Sequence, residues 1–400
     1  MRAPVKPHGT LVRLWYAVRM TITTLETLRF SRMHEPDRQW VTAKYRTVKA
    51  DCVIVRILTN DGLAGIGEAS AYGGPVQIAE WVEWLGRQMI GRDIDDPAIV
   101  PHPNGTSRAH DAAVAGIDCA LWDLRGKVAG KRVCELLTDA PLDRVRVYAS
   151  GGCRYDWRLR PEQLIDEARD YIDRGFTAMK FRMGTQWDWD GVTVDRFLGL
   201  VRELAADVDG RLELMLDGNC RLTEEQARTV ARELDRLGFT WFEEPCPGND
   251  IDAYSRLCAE VSMPITGGES LTTLEQFRLY FEKQAYDIVQ QDAGLCGITE
   301  TMRIADMASR YGVDVCPHSW HNGVMAMANA HVVAALPNPR VLEICQHQGP
   351  LQWGIVEDPP ELADGHLVLP QRPGLGIDLD PEAESRFPFI EGHYAIQVER

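Results

Sequence analysis

Hydrophobic and polar positions along the chain follow two rhythms, and the change between them comes near Arg144. From Thr21 to about Ala69 the apolar residues gather in short strand-like runs. Cys52 to Thr59 is a β-branched run and Leu63 to Glu68 is another. Asn60-Asp61-Gly62 lies between them, and Asp-Gly tolerates the positive φ of a tight reversal, so the two runs predict a β-hairpin. Segments near 76–91 and 107–129 turn to helical spacing. Strands followed by helices predict an α+β unit.

Beyond Arg144 short apolar runs alternate with helical segments up to about Cys345. The strand candidates are Val145–Ser150, Ala178–Met183, Leu212–Asp217, Thr240–Glu244, Pro264–Gly268, Asp287–Gln291, Asp314–Pro317 and Arg340–Ile344. Eight strands alternating with helices predict a parallel sheet closed into a barrel. The helices carry their own punctuation. Thr223 with Gln226 reads as a capping box, the inward face is Ala227, Val230, Ala231, Leu234 and Leu237, and Gly238 ends the helix. Pro161 and Gly175 bracket another helix with Leu164, Ile165, Ala168 and Ile172 inward, and Thr272 with Glu275 is a third capping signal. After Cys345, Pro- and Gly-rich segments with short strands read as a tail folding back on the first unit. The expected division is therefore an extension at 1–19, a capping unit at 20–140, a barrel at 141–345, and a segment at 346–400 that completes the cap.

A length of 400 residues exceeds one ordinary core, in keeping with two units. The formal net charge of −16 repels polyanions, which argues against a nucleic-acid partner. A small anionic substrate must then be drawn by a metal or by a placed Lys or Arg. No apolar run reaches the roughly 18–20 residues of a membrane span. The first nineteen residues carry Arg2, Lys6, Arg13 and Arg19 and no acid, but Arg13 and Arg19 interrupt any signal-peptide core. They read as a disordered extension or a start placed too early, and the chain carries no address other than the cytoplasm. The ten Cys residues, from Cys52 to Cys345, form no C-x-x-C pair and are expected as buried thiols in a reducing compartment.

The chemistry sits where strands end. Asp217 closes Leu-Met-Leu-Asp, Glu243 lies in Trp-Phe-Glu-Glu-Pro, and Glu269 follows Thr-Gly-Gly, with 26 residues between successive members. One strand–helix unit is about that long, so the three carboxylates should stand side by side on adjacent strands at the C-terminal mouth. Carboxylates so crowded resist ionising unless a divalent cation joins them, and an all-oxygen set favours Mg²⁺ over Zn²⁺. Taken singly, each acid reads equally well as a cap or a solvated charge; the common register is what distinguishes them. Asp292 ends Ile-Val-Gln-Gln-Asp and His318 follows 26 residues later after Val-Cys-Pro. An Asp bonded to imidazole fixes its tautomer and raises its pKa, which suits a general base or acid. Glu343 comes 25 residues further on. Strand alternation points Lys180 and Arg182 to one face, where they could grip a substrate carboxylate or simply pair with nearby acids.

These residues resemble the enolase superfamily, and within it the mandelate racemase subgroup. The likeness runs from Met20 to Arg400. It includes Ala120-Leu121-Trp122-Asp123-Leu124, Asp217-Gly218-Asn219, Glu243-Glu244-Pro245, Gly268-Glu269-Ser270 and the Asp292/His318 pair. The resemblance implies an α+β cap over a (β/α)7β barrel, one Mg²⁺ per subunit and abstraction of an α-proton to give a metal-stabilised enediolate. It implies Asp217, Glu243 and Glu269 as metal ligands, His318 with Asp292 as base and orienter, and Glu343 on the substrate carboxylate. It further implies Lys180 as a stabiliser of the enediolate and Asn219 as a substrate contact.

The subgroup pattern on the second strand is Lys-x-Lys, and here the second place is Arg182. Arginine stays protonated and is a poor base. A one-base reaction follows more readily than racemisation: His318 takes the α-proton and a β-hydroxyl leaves. The expected activity is a hydro-lyase dehydrating an aldonate or aldarate to a 2-keto-3-deoxy acid. Candidate hydroxyl contacts are His34 and Arg38 in the first capping loop, Tyr72 in the second, and Trp320 and His321 after the base. A racemase or epimerase, a cycloisomerase, and a non-catalytic sugar-acid binder on the same barrel are the alternatives. The expected partner is a small carboxylate, without nucleic acid or membrane, and a homo-oligomer is expected.

Overall fold

In the computed structural model, residues 20–41, 45–99, 101–153, 155, 160–183 and 192–397 are described. The extension expected at 1–19 lies outside them.

The first unit opens with strands β1 (Ile22–Met33), β2 (Tyr45–Thr47), β3 (Lys49–Thr59) and β4 (Ala64–Ala69). β1, β3 and β4 form an antiparallel sheet in that order, and Gly62 turns the β3–β4 hairpin at φ 88°. Helices Pro75–Gly86 and Arg108–Ala129 cover one face of the sheet. The second is buried along most of its length, because it lies between the sheet and the barrel helix Ala293–Tyr311. Two of its residues bolt the two units together, and a third ties the helix to β4 and to the C-terminal segment. Asp118 accepts from Thr299 N (2.8 Å) and Thr299 Oγ1 (2.6 Å), Trp122 Nε1 donates to Thr299 Oγ1 (2.9 Å), and Asp123 accepts from Ile66 N (2.8 Å) and Leu375 N (2.7 Å). The Ala-Leu-Trp-Asp-Leu motif thus works as a structural joint.

The second unit contains parallel strands β5 (Arg144–Ser150), β6 (Ala178–Arg182), β7 (Glu213–Asp217), β8 (Trp241–Glu243), β9 (Ile265–Gly267), β10 (Ile288–Val289), β11 (Asp314–Val315) and β12 (Leu342–Cys345). Every expected strand is present. They pair in sequence from β5 to β11, and β12 returns to pair with β5. Side chains tie β11 to β12: Cys316 Sγ meets Val341 O at 3.1 Å, and Arg340 Nε donates to Asp314 Oδ2 at 2.9 Å. Tyr148, Ala178, Met215, Trp241 and Ile288, from five of the strands, pack with Cys316, just after β11, in one buried cluster, so the barrel is a filled core and not a pore. The fold is the (β/α)7β barrel with an α+β cap.

The capping box at Thr223/Gln226 is formed. The third capping signal lies one residue further on than expected. Thr273 Oγ1 accepts from Gln276 N, and Gln276 Oε1 accepts from both Thr273 N (3.0 Å) and Thr272 N (2.9 Å). One amide oxygen serving two backbone donors outweighs the Thr272/Glu275 alternative, and Glu275 faces solvent.

The segment after Cys345 divides. β13 (Leu362–Ala363) and β14 (His366–Val368) form a hairpin that extends the barrel sheet beside β5, while β15 (Ala395–Gln397) returns to the first unit and pairs with β2. Eight of the ten thiols are buried, and Cys220 and Cys258 are half-buried. No helix among the described residues is long and apolar enough to cross a membrane.

Candidate active site

The mouth of the barrel is built by register. Asp217 at the end of β7 pairs with Glu243 at the end of β8, and Glu269 follows β9. Gly268 makes the turn at φ 108°, a conformation closed to residues bearing a Cβ. Three non-glycine residues with positive φ also gather here: Asn219 (45°), Cys220 (58°) and Glu244 (40°). Such backbone costs energy and persists where its surroundings impose it, commonly at functional sites.

Asp217, Glu243 and Glu269 each present an oxygen within 4.8 Å of the other two. Burial pushes the Glu243 carboxyl up to about 7; Lys180 opposes this, but repulsion from Asp217, Glu343 and Glu269 adds to it. Asp217 is raised as well, by burial first, with Lys180 and Arg182 working against it. Acids this crowded and this dry are a poor set to leave without a cation. Three hard oxygen donors of like charge fit Mg²⁺, and this donor set could hold it.

Lys180 and Arg182 lie beside the trio. Lys180 is fully buried; its Nζ donates to Glu243 Oε1 and lies 3.1 Å from Glu343 Oε1. Glu343 also accepts from Ser319 N at 2.6 Å. Burial opposes its ionisation, but Lys180, His318 and Arg182 hold its carboxyl down at about 2. One ammonium therefore serves two carboxylates with unequal surroundings. Arg182 donates through Nη1 to Gly151 O (3.0 Å), with Nε 3.7 Å from Asp217 Oδ2. Its guanidinium lies 3.7 Å from the centre of the Trp320 ring and 5.5 Å from that of Trp40.

On the other side Asp292 caps helix Ala293–Tyr311 through Oδ1, which accepts from Gly294 N at 2.7 Å. Its Oδ2 bonds His318 Nδ1 (2.7 Å) and also His321 Nε2 (2.6 Å). Burial would raise this carboxyl, but the two imidazoles hold it well below the usual range. An ionised carboxylate only accepts, so His318 carries its proton on Nδ1 and turns Nε2 toward Glu269 Oε2, 3.4 Å away. Burial disfavours charge on this ring, but Glu269, Glu343 and Asp292 outweigh it and lift His318 to about 10; Glu269 exerts the largest of these pulls, and a cation on that carboxylate would offset it and let the ring start as a base.

A cavity of about 360 Å³ opens over these groups, between barrel and cap. Arg182, Asn219, Glu269, His318, Trp320 and His321 line the barrel side, and His34 and Tyr72 line the cap side. Lys180, Asp217, Glu243, Asp292 and Glu343 lie beneath that surface. Asn219 is turned onto Asp217, donating from Nδ2 to Oδ2 at 2.7 Å. Arg38 is not in the wall: it is exposed and borders a separate hollow with Arg32, Glu35 and His347. Sequence reasoning missed Tyr45, Arg108, Arg221, Glu244, His347 and Tyr394, which also line the cavity. Arg221 and Glu244 sit in strand-end loops already singled out and could have been found there. Tyr45, Arg108 and Tyr394 come from the cap and the tail, with no local signal.

Residues 163–383 match the enolase C-terminal domain-like family, and residues 26–138 match the mandelate racemase / muconate lactonizing enzyme N-terminal domain. The chain belongs to the enolase superfamily, in its mandelate racemase subgroup. This superfamily member is 31% identical over 340 residues to arabinonate dehydratase of Saccharolobus solfataricus, covering 82% of this chain and 88% of the relative. It is 30% identical over 388 residues to D-galactarolactone cycloisomerase of Agrobacterium fabrum, covering 92% and 99%. Among solved structures, 3,6-anhydro-D-galactonate cycloisomerase from Zobellia galactanivorans superposes with a TM-score of 0.79 at 27% identity, covering 92% of this superfamily member and 99% of that chain.

Proposed function

We propose that this superfamily member is a hydro-lyase that dehydrates an acid sugar, an aldonate or aldarate, to a 2-keto-3-deoxy acid. The observation that carries the reading is the single base. His318, oriented by Asp292, turns Nε2 into the cavity, while the second-strand position that would supply an opposing base is Arg182, stacked on Trp320. A resident proton acceptor on one face suits elimination better than inversion. Dehydratases for arabinonate, D-xylonate and D-galactonate among the relatives support the same chemistry.

One Mg²⁺ per subunit, held by Asp217, Glu243 and Glu269, would act as a Lewis acid toward the substrate carboxylate. His318 Nε2 removes the α-proton. Arg182 offers fixed positive charge at the cavity wall as electron density moves onto the carboxylate oxygens. Lys180 and Glu343 act from beneath the wall: Lys180 neutralises Glu243 and Glu343, and Glu343 faces His318 with Oε2 3.9 Å from Nε2. The β-hydroxyl leaves with a proton. His34, Tyr72, Trp320 and His321, which line the cavity, would read the hydroxyls.

The test is incubation of the protein with Mg²⁺ and arabinonate, D-xylonate, D-galactonate, D-gluconate, their diacids and the diacid lactones. Product is read as 2-keto acid and by mass, with His318→Asn beside it. A 2-keto acid that disappears in the variant supports the reading. A product isomeric with its substrate, formed from a lactone, overturns it in favour of a cycloisomerase, the second reading, which the Agrobacterium fabrum relative favours.

A further inference from the structure

The charges on the cavity wall do not all have partners. Lys49 and Asp51, 3.1 Å apart, answer one another, and Asp51 also accepts from Ser31 Oγ at 2.6 Å. Arg182 lies 3.7 Å from Asp217 and is stacked on Trp320, Glu269 belongs to the metal trio, and Glu244 follows the metal ligand Glu243. Arg108 and Arg221 are left. Among the described residues neither has a carboxylate within ion-pair reach or a hydrogen-bond acceptor for its guanidinium. Acids outnumber Lys and Arg by 59 to 43 in this chain, so protein anions are not scarce. Two guanidinium groups on a cavity wall without one are available to a ligand.

Arg221 is held in place by its backbone. It closes the turn after β7, its N donating to Gly218 O at 3.1 Å, while Cys220 N donates to Glu244 O at 2.8 Å. Asn219 and Cys220 take left-handed backbone in that turn, and a Cβ on Gly218 would lie 2.7 Å from Glu244 O. On the other side Leu222 is buried and Thr223 caps helix Glu224–Leu237. A half-buried guanidinium on so fixed a loop has lost part of its hydration with no protein anion in return.

The cap brings two phenols to the same wall. β2, which begins at Tyr45, pairs with β15 just after Tyr394, and Tyr394 O accepts from Val48 N at 2.8 Å. Burial raises the Tyr45 phenol, with Arg221 and then Arg182 opposing; burial and then Tyr45 raise the Tyr394 phenol, with Arg108 opposing. Arg221 thus stands in electrostatic reach of the Tyr45 hydroxyl and Arg108 in reach of that of Tyr394. Among the described residues the Tyr394 hydroxyl has no hydrogen-bond partner.

The metal trio and Arg182 already serve the carboxylate next to the reacting carbon. The neutral CH2OH at the far end of an aldonate would leave Arg221 without a counter-charge; a second carboxylate there would supply it. Resting on the dehydratase reading, we infer that the substrate is a dicarboxylate sugar acid, an aldarate, whose far carboxylate is held by Arg221 and the Tyr394 hydroxyl, with Arg108 drawing the dianion to the mouth. A planar guanidinium matches a carboxylate through two parallel N–H···O bonds. Arg108 is exposed, and a charge on the rim acts mainly on the rate of approach, which salt screens.

The test uses matched acids that differ only at the far carbon: galactarate with D-galactonate, and D-glucarate with D-gluconate. With Mg²⁺, kcat/KM for 2-keto acid formation is measured for each, and dissociation constants are measured by calorimetry on His318→Asn, in which binding is read without turnover. The diacid of at least one pair should be favoured by about tenfold or more. Arg221→Gln should lower kcat/KM for that diacid by about 10- to 100-fold, the value of a hydrogen bond to a charged group, mainly through KM, and leave the matched monoacid within a few-fold. Arg108→Gln should cost less, and its effect should fade as salt is added. Equal or better use of the monoacid in both pairs overturns the assignment. So does an equal loss on diacid and monoacid in Arg221→Gln, which would make Arg221 a support for the Asn219 turn. If no acid is turned over, the dissociation constants decide in the same way. The two readings fail separately. Dehydration of monoacids alone keeps the dehydratase reading and overturns the second-carboxylate site. An Arg221-dependent preference for a diacid or its lactone, converted to an isomer without loss of water, overturns the dehydratase reading and keeps the site.

Discussion

Lys180→Met removes the cation on which two buried carboxylates depend, and its cost can be worked from the contacts each carboxylate keeps. Lys180, Glu243 and Glu343 are all fully buried. Without the ammonium, Glu343 retains Ser319 N at 2.6 Å and the positive charges of His318 and Arg182. Glu243 retains Gln290 Nε2 at 2.5 Å and Trp241 Nε1 at 3.2 Å but no cation in ion-pair reach among the described residues. Breaking a buried pair by deleting one partner costs about 3–5 kcal/mol, and here most of that loss falls on Glu243. The sign of the pH dependence follows. The folded carboxyl of Glu243, already pushed up to about 7 by burial with Lys180 opposing, rises further in the variant and lies far above its unfolded value. The native state then binds more protons than the unfolded chain, so the penalty is smallest at acid pH and grows as pH rises through neutrality. Urea unfolding in EDTA, at pH 5.5 and pH 7.5, reads both quantities. Adding Glu243→Gln to Lys180→Met should recover most of the loss at the higher pH. A penalty below about 1 kcal/mol, the size expected for an exposed pair, or one that grows on acidification, would refute the reasoning.

Three further outcomes follow from the same geometry. Asp292→Asn can still cap helix Ala293–Tyr311 but no longer fixes the tautomer of His318, so α-proton exchange should fall by about 10²–10⁴-fold with little change in Tm. Glu269→Gln removes one charge from the trio, and Mg²⁺ affinity by calorimetric titration should drop by about tenfold or more. Gly67→Ala would bring a Cβ within 2.3 Å of Gly116 O and 2.5 Å of Ala120 N, both backbone atoms of the buried cap helix; a loss of at least about 1–3 kcal/mol should show as a lower Tm or as insoluble protein.

The parts legible in the sequence share a physical reason. Each strand–helix unit of the barrel has nearly the same length, so Asp217, Glu243 and Glu269 could be read as neighbours from their spacing, and Asp292 with His318 likewise. The hairpin at Gly62 was legible because its conformation selects the residue. Contacts set by tertiary closure were not legible. Tyr394 reaches the cavity because its carbonyl accepts from Val48 N at 2.8 Å, a pairing across most of the chain. Arg38 shares a loop with His34, yet only His34 turns into the cavity, since its ring packs 4.3 Å from His347. That Lys180 is spent on two carboxylates, and that Asp292 holds a second imidazole, depends on side-chain directions that no spacing reveals.

The buried thiols give the protein an internal set of opening reporters. Cys52 and Cys119 sit on cap elements at the seam with the barrel, Cys119 Sγ meeting Ala293 O at 3.7 Å, whereas Cys246, Cys316 and Cys345 lie in the barrel, and all five are buried in the folded state. An alkylating reagent reaches such a sulfur only when its surroundings open, so the rate of modification at each position measures the free energy of that local opening. Half-buried Cys220 and Cys258 are the more accessible pair, and Cys220, in the loop that carries Asn219, would sense the metal site. The order in which the others follow would tell whether the cap lifts from the barrel as a unit or the two come apart together.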